Sequence, residues 1–134
     1  MPALKVDELA RDMPTNGIYL LSEGSHHLYA GRSTRLRSRI KRHSRAGAAH
    51  NVAAFAFLLA RDATGRIEAS YKPEGSRSDL MLDPVFSAAF TDAKERIRQM
   101  DVRYVEETHP LRQALLEMYV AVALETPFND FDTH

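Results

Sequence analysis

Residues 17–43 read GIYLLSEGSHHLYAGRSTRLRSRIKRH, and this stretch decides the fold. It opens on an apolar run, Gly17-Ile18-Tyr19-Leu20-Leu21, passes through Glu23-Gly24-Ser25, and resumes with Leu28-Tyr29-Ala30-Gly31. Two short apolar runs separated by turn residues that include Gly predict a β-hairpin. A loop over residues 23–25 sets Ser22 against His26 and Tyr19 directly across from Tyr29. Both phenols then share one face, while Ile18, Leu20, Leu28 and Ala30 share the other. A two-residue loop sets Tyr19 against Leu28 and sends the phenols to opposite faces, because side chains alternate along a strand. The odd-length loop keeps the apolar set together and is the expected one.

Gly31 ends the second strand in this reading, Ser33 or Thr34 caps a helix, and Arg35–Arg45 has helix-forming character. From Arg32 to Arg45 inclusive there are seven Lys or Arg residues, one His and no acid. On a helical wheel Leu36, Ile40 and His43 form one stripe with Arg39, Arg35 and Arg42 sit beside it, and Arg37 and Lys41 point away. Arg39 and His43 therefore border the buried side. A solvated basic face is the plain alternative for any such charge run.

Far downstream, Ala114-Leu115-Leu116-Glu117-Met118-Tyr119-Val120-Ala121-Val122-Ala123-Leu124 is helical and carries a single charge. A helix that apolar on all sides is expected to be packed on most of its circumference. A lone carboxylate there is costly unless it is paired, protonated or bound to a cation. A structural ion pair with Arg39 or Arg112, a side chain that finds a solvent-facing gap, and a metal ligand are the readings of Glu117.

Gly17-Ile18-Tyr19, then nine residues, then Tyr29-Ala30-Gly31 followed by Arg32, Leu36, Arg39, Ile40 and His43, resembles the GIY-YIG nuclease family, with Ala30 where that family has Ile or Val. The family also carries a metal-binding Glu on a later helix and an Asn shortly after a Pro. Gln113–Tyr119 with Glu117, and then Pro127-Phe128-Asn129, match both in the right order.

Phosphodiester hydrolysis needs an activated water, charge stabilisation on the phosphate and help for the departing oxygen. Glu117 as the one protein carboxylate suits a single hard cation, Mg²⁺ or Mn²⁺, that also takes waters and substrate oxygens, and the resemblance implies the same single-metal scheme. Arg39 is expected to hold the scissile phosphate, since a planar guanidinium meets two phosphate oxygens at once. Arg32 is a second phosphate contact, with Arg35 and Arg42 beside it. Tyr19 is expected to position the attacking water, with Tyr29 and His43 ordering water or phosphate. Tyr19 and His43 both stand as candidate bases: a phenol near pKa 10 needs neighbouring cations to serve, whereas an imidazole titrates near 6.5. Asn129 is expected to tie the chain end back to the site.

The 134 residues predict one domain with a real core. Absence of cysteine removes disulfides, thiolate nucleophiles and Cys-based metal centres. No apolar run reaches membrane-spanning length and no signal-peptide pattern opens the chain, so a cytoplasmic protein without a membrane partner is expected. Eighteen basic and eighteen acidic residues cancel, so DNA must be met by the local 32–45 face and not by a global field.

The remaining elements follow in order. Residues 4–12 suggest a short amphipathic helix, broken by Pro14 and Asn16-Gly17. Residues 51–61 read as helix by their Ala content, although Phe55, Phe57 and Leu59 alternate like a strand. A turn at 62–65, a brief strand at 66–72 and a polar loop at 72–79 come next. Asp83-Pro84 opens a helix whose Phe86, Phe90, Ala93, Ile97 and Met100 recur on one face. Residues 102–107 read as the third strand, and Pro110 opens the last helix, which Pro127 ends. The sum is an α/β (α+β) domain over residues 1–134: a three-stranded antiparallel sheet flanked by helices, with a helical insertion at about 50–100. The expected activity is metal-dependent endonucleolytic cleavage of DNA. The alternative is the same fold without turnover, as a nucleic-acid-binding module or as a protein-interaction module with Phe86 and Phe90 at an interface.

Overall fold

The computed structural model describes residues 3–45, 47–48, 53–65 and 82–129. The chain divides into two compact units, Met1–Lys41 with Arg98–His134, and Arg42–Ile97. The first unit is built on an antiparallel sheet of β1 (Gly17–Glu23), β2 (His26–Ser33) and β3 (Asp101–Glu106), in the order β2-β1-β3. With helices α1 (Leu36–Arg42) and α4 (Pro110–Ala123) here, and α2 (Ala54–Thr64) and α3 (Pro84–Arg98) in the second unit, the fold class is α+β.

The hairpin forms where the sequence predicts it, with a different register. The loop is the two residues Gly24-Ser25, and Gly24 has φ +59°. A left-handed first turn residue matches the twist of the flanking strands, and Gly adopts it without a Cβ penalty. An irregularity between Leu21 and Ser22 then leaves Leu28 as an extra residue on β2, so Tyr19 faces Gly31 and Leu21 faces Tyr29. The bulge restores the shared face that a plain two-residue turn would have lost. Tyr19 and Tyr29 are diagonal neighbours on one face instead of a directly opposed pair. Ile18, Leu20, Ala30 and Arg32 take the other.

Both outer edges of the sheet are covered. Residues 4–12 do not form the expected helix. Leu4 bridges to Val102 through N–H···O contacts of 3.0 and 2.6 Å, and only Val6–Glu8 makes a 3₁₀ turn. Pairing with β3 satisfies edge groups that a helix would leave open, and this outweighs local propensity. Val6 and Leu9 are still buried. On the β2 edge, Phe128 N–H donates to Leu28 O at 3.2 Å, and Asn129 extends this attachment.

Ser33 Oγ accepts the Arg35 N–H at 2.8 Å at the start of α1. The helix stops at Arg42, short of the expected Arg45, and His43 and Ser44 lie in a turn with both side chains buried. Arg37 does not simply point away: its Nε donates to Leu9 O at 3.3 Å. Helix α4 begins as expected at Pro110, where His109 Nδ1 accepts the Leu111 N–H. It ends before Pro127, at Leu124. Glu125 adopts φ +51°, its N–H bonds Val122 O, and the Thr126 N–H bonds Ala121 O, the double closure of a Schellman motif.

The second unit resolves the helix-or-strand ambiguity of residues 51–61 as helix α2, which continues through the expected turn to Thr64 and is capped by Gly65 at φ +70°. Phe55, Phe57 and Leu59 are all buried, which is how a strand-like alternation fits a helix packed on several sides. Asp83 Oδ1 accepts the Val85 N–H at the start of α3. Phe86, Phe90, Ala93, Ile97 and Met100 are buried as the periodicity predicts. Phe86 packs 5.2 Å from the Phe57 ring, so Phe86 and Phe90 are interior residues and not the exposed interface of the interaction-module alternative. The strand expected at 66–72 and the loop at 72–79 fall outside the described residues. Among the described residues no helix is long and apolar enough to cross a membrane.

Candidate active site

The bulged hairpin puts the Tyr19 and Tyr29 rings 6.3 Å apart between centroids, tilted by 40°. Tyr19 is 1% exposed. Its ring lies over Gly31, where a Cβ would come within 2.7 Å of Tyr19 Cε1 and closer still to Cζ and Oη. The absence of a side chain at Gly31 is therefore what seats the phenol. Gly17 acts similarly on the backbone, since a Cβ there would press on the Val105 carbonyl and disturb the β1–β3 pairing.

Arg39, on α1, hydrogen-bonds both phenols, and the phenols hydrogen-bond each other. Burial pushes the Tyr19 hydroxyl far above the ordinary tyrosine value, and Tyr29 adds to the rise. The Arg39 charge and hydrogen bond pull it back only in part, while Glu117 raises it further. Burial likewise raises Tyr29, against the opposing Arg39 charge. Desolvation wins at both positions, so both phenols are neutral at physiological pH.

Glu117 projects from α4, with its side chain 18% exposed, and its Oε1 lies 3.7 Å from Arg32 Nε. The sequence named Arg39 and Arg112 as candidate structural partners; Arg32, at the end of β2, is a partner it did not name. This contact is long, and the Arg32 side chain is 46% exposed, so its worth is that of a surface pair, about 0–1 kcal/mol. Among the described residues no three His, Cys, Asp or Glu side chains cluster as a metal cage. A single hard carboxylate with solvent access nonetheless suits a cation such as Mg²⁺, which keeps several waters and takes one or two protein carboxylates.

Asn129 has a structural position. Its Oδ1 accepts the Ala30 N–H at 2.7 Å, and its Nδ2 donates to Ala30 O at 2.6 Å. The amide thus pairs with β2 as one residue of an added strand would, directly beside Tyr29 and Gly31. Thr126 Oγ1 donates to Asn129 Oδ1 at 2.7 Å and orients it.

The fold therefore brings Tyr19, Tyr29, Arg32, Arg39 and Glu117 together in the first unit, with Asn129 bracing β2. Arg35 is exposed at the start of α1. Arg42 and His43 belong to the second unit, where the His43 ring meets Phe55 edge-on at 6.0 Å. Sequence reasoning missed Gly31, Gly17 and Thr126. The signal for the glycines was a residue without a side chain inside a strand, which marks a close approach. For Thr126 it was a hydroxyl three residues before the Asn it orients. No family model, curated protein or solved structure matches the chain.

Proposed function

We propose that this chain is an endonuclease that hydrolyses DNA phosphodiester bonds with one divalent cation, Mg²⁺ or Mn²⁺. The observation that carries the proposal is the convergence of two phenols, a guanidinium and a partly exposed carboxylate from β1, β2, α1 and α4. The resemblance of Gly17–Tyr19, Tyr29–Gly31, Arg39, Glu117 and Asn129 to the GIY-YIG pattern supports the same reading.

Glu117 would hold the cation, which supplies Lewis acidity to the scissile phosphate when bound. Arg39 meets the phenol oxygens from α1, and its planar fork can also grip phosphate oxygens. As a neutral phenol, the state that desolvation favours, the Tyr19 hydroxyl would orient the attacking water by hydrogen bonding. Tyr29 holds that hydroxyl and Arg39 in one network. Arg32 has two roles, a loose partner for Glu117 and a contact for incoming phosphate. The basic residues of α1, Arg35 among them, extend that contact surface.

The test is nicking of supercoiled plasmid with Mg²⁺ or Mn²⁺, with a chelator and Glu117→Ala as controls. Arg39→Ala should slow nicking by on the order of 100- to 1000-fold. Arg32→Gln should change unfolding free energy by less than about 1 kcal/mol while lowering the salt slope of DNA binding by about one. Nicking that survives Glu117→Ala and Arg39→Ala unchanged refutes the proposal. DNA binding without nicking under every metal condition gives the binding-module alternative instead.

A further inference from the structure

Helix α4 rests one side on the sheet, with Gln113 and Ala121 buried, and turns an apolar side to solvent. Leu111, Leu115, Met118, Tyr119 and Val122 are exposed by 49% at Met118 to 73% at Val122. This corrects the expectation that the helix is packed on most of its circumference. Surface helices carry polar residues on such a face, and within α4 the one charged side chain on its border is Arg112. The five side chains expose roughly 600 Å² per chain, at the upper end of the largest apolar patch a typical monomer carries, a patch that is often functional.

We infer that a second copy of this chain covers this face, through an antiparallel α4–α4 pairing about a two-fold axis. Leu111, Leu115, Met118 and Val122 are spaced by four, three and four residues, the 3.5-residue repeat of a seam between two helices. The seam complements itself when one copy is reversed. Leu111 then stands opposite Val122 of the other copy, and Leu115 opposite Met118, so each layer is filled and the contact closes without an open edge. On the flank of the seam, Arg112 of one copy comes beside Tyr119 of the other, a cation–π arrangement for the one charge at the border. Complete burial of two such faces would remove on the order of 1,200 Å², the lower bound of a standard specific interface. Glu117 lies toward the sheet side of α4, so the pairing leaves each copy's carboxylate uncovered. The dimer does not depend on nuclease activity.

Sedimentation velocity on the full chain tests this. A mass of twice 15.1 kDa is expected in the micromolar range, dissociating on dilution. Leu115→Glu with Val122→Glu should give a monomer with an unchanged circular dichroism spectrum. The chain has no cysteine, so Leu111→Cys/Val122→Cys should cross-link on mild oxidation between position 111 of one copy and 122 of the other, whereas Leu111→Cys alone should not. A mass of one chain at every concentration up to about 100 μM overturns the inference. So does a dimer that survives the double glutamate variant, or cross-linking by Leu111→Cys alone.

Discussion

Gly31→Ala tests the seating of Tyr19 most directly. The added methyl would lie 2.7 Å from Tyr19 Cε1 and nearer to Cζ and Oη, against about 3.5–4.0 Å for an ordinary carbon contact. The ring, 1% exposed and hydrogen-bonded to Tyr29 and Arg39, must move by roughly 1 Å into packed surroundings. Overpacking of this kind costs about 1–3 kcal/mol. Gly31 is not left-handed, so no backbone strain is added, and loss of unfolded-state freedom returns about 0.4–1 kcal/mol. The steric term wins, leaving a net loss of about 1–2 kcal/mol, or a melting temperature lower by roughly 3–8 °C. Nicking should suffer more, since a displacement near 1 Å costs on the order of 100-fold. Thermal melts and initial nicking rates are measured for Gly31→Ala, Tyr19→Ala and the double variant. With the ring removed, the second methyl has nothing to strike and should be neutral or slightly stabilising. Additive losses in this cycle would refute the reasoning, because they would mean that Gly31 and Tyr19 act independently.

Three further outcomes follow from the same geometry. Asn129→Ala removes both hydrogen bonds to Ala30 and should lower stability by about 2–3 kcal/mol, read as a lower denaturant midpoint at unchanged slope and faster exchange of the Ala30 amide. Glu125→Gly relieves a left-handed residue at the end of α4 and should raise stability by about 1 kcal/mol, seen as a higher melting temperature. The raised Tyr19 and Tyr29 values keep folded-state protons that the unfolded chain releases near pH 10. Their contribution is complete below that pH and is lost as pH rises above it, so unfolding free energy should fall in alkali and fall less in Tyr19→Phe. Phenolate absorbance that develops fully in the native protein near pH 10 would contradict the burial.

The sequence made the hairpin legible because Gly24 and the flanking apolar runs are local signals. Its register was not, because the bulge at Leu28 depends on the β1–β3 pairing and on Asn129 gripping the outer edge from ninety-nine residues away. Residues 4–12 show the same limit: their helical pattern is real, but Leu4 finds a strand edge that no local window contains. Local propensity is a weak prior wherever an unpaired edge competes for the same backbone groups. The helix over residues 84–98 was legible to its cap because Asp83-Pro84 and the Phe86–Ile97 face carry their information within one element.

Helix α4 shows how a correct element can support a faulty step. Its composition suggested burial all round, and Glu117 drew notice as a charge trapped in a core. The fold buries only the sheet side, and Glu117, toward that side, keeps partial water access. The trapped-charge argument therefore loses its force. What now distinguishes Glu117 is its company: Arg32 within 3.7 Å, and two phenols whose protons its charge helps retain. The same correction moves the explanation for Leu111 and Leu115 from packing to recognition. An apolar helix in a small α+β domain has two faces to satisfy, and the sheet here covers one. Composition counts both faces alike; only the placement of the helix separates the residues that hold the site from those left for a second chain.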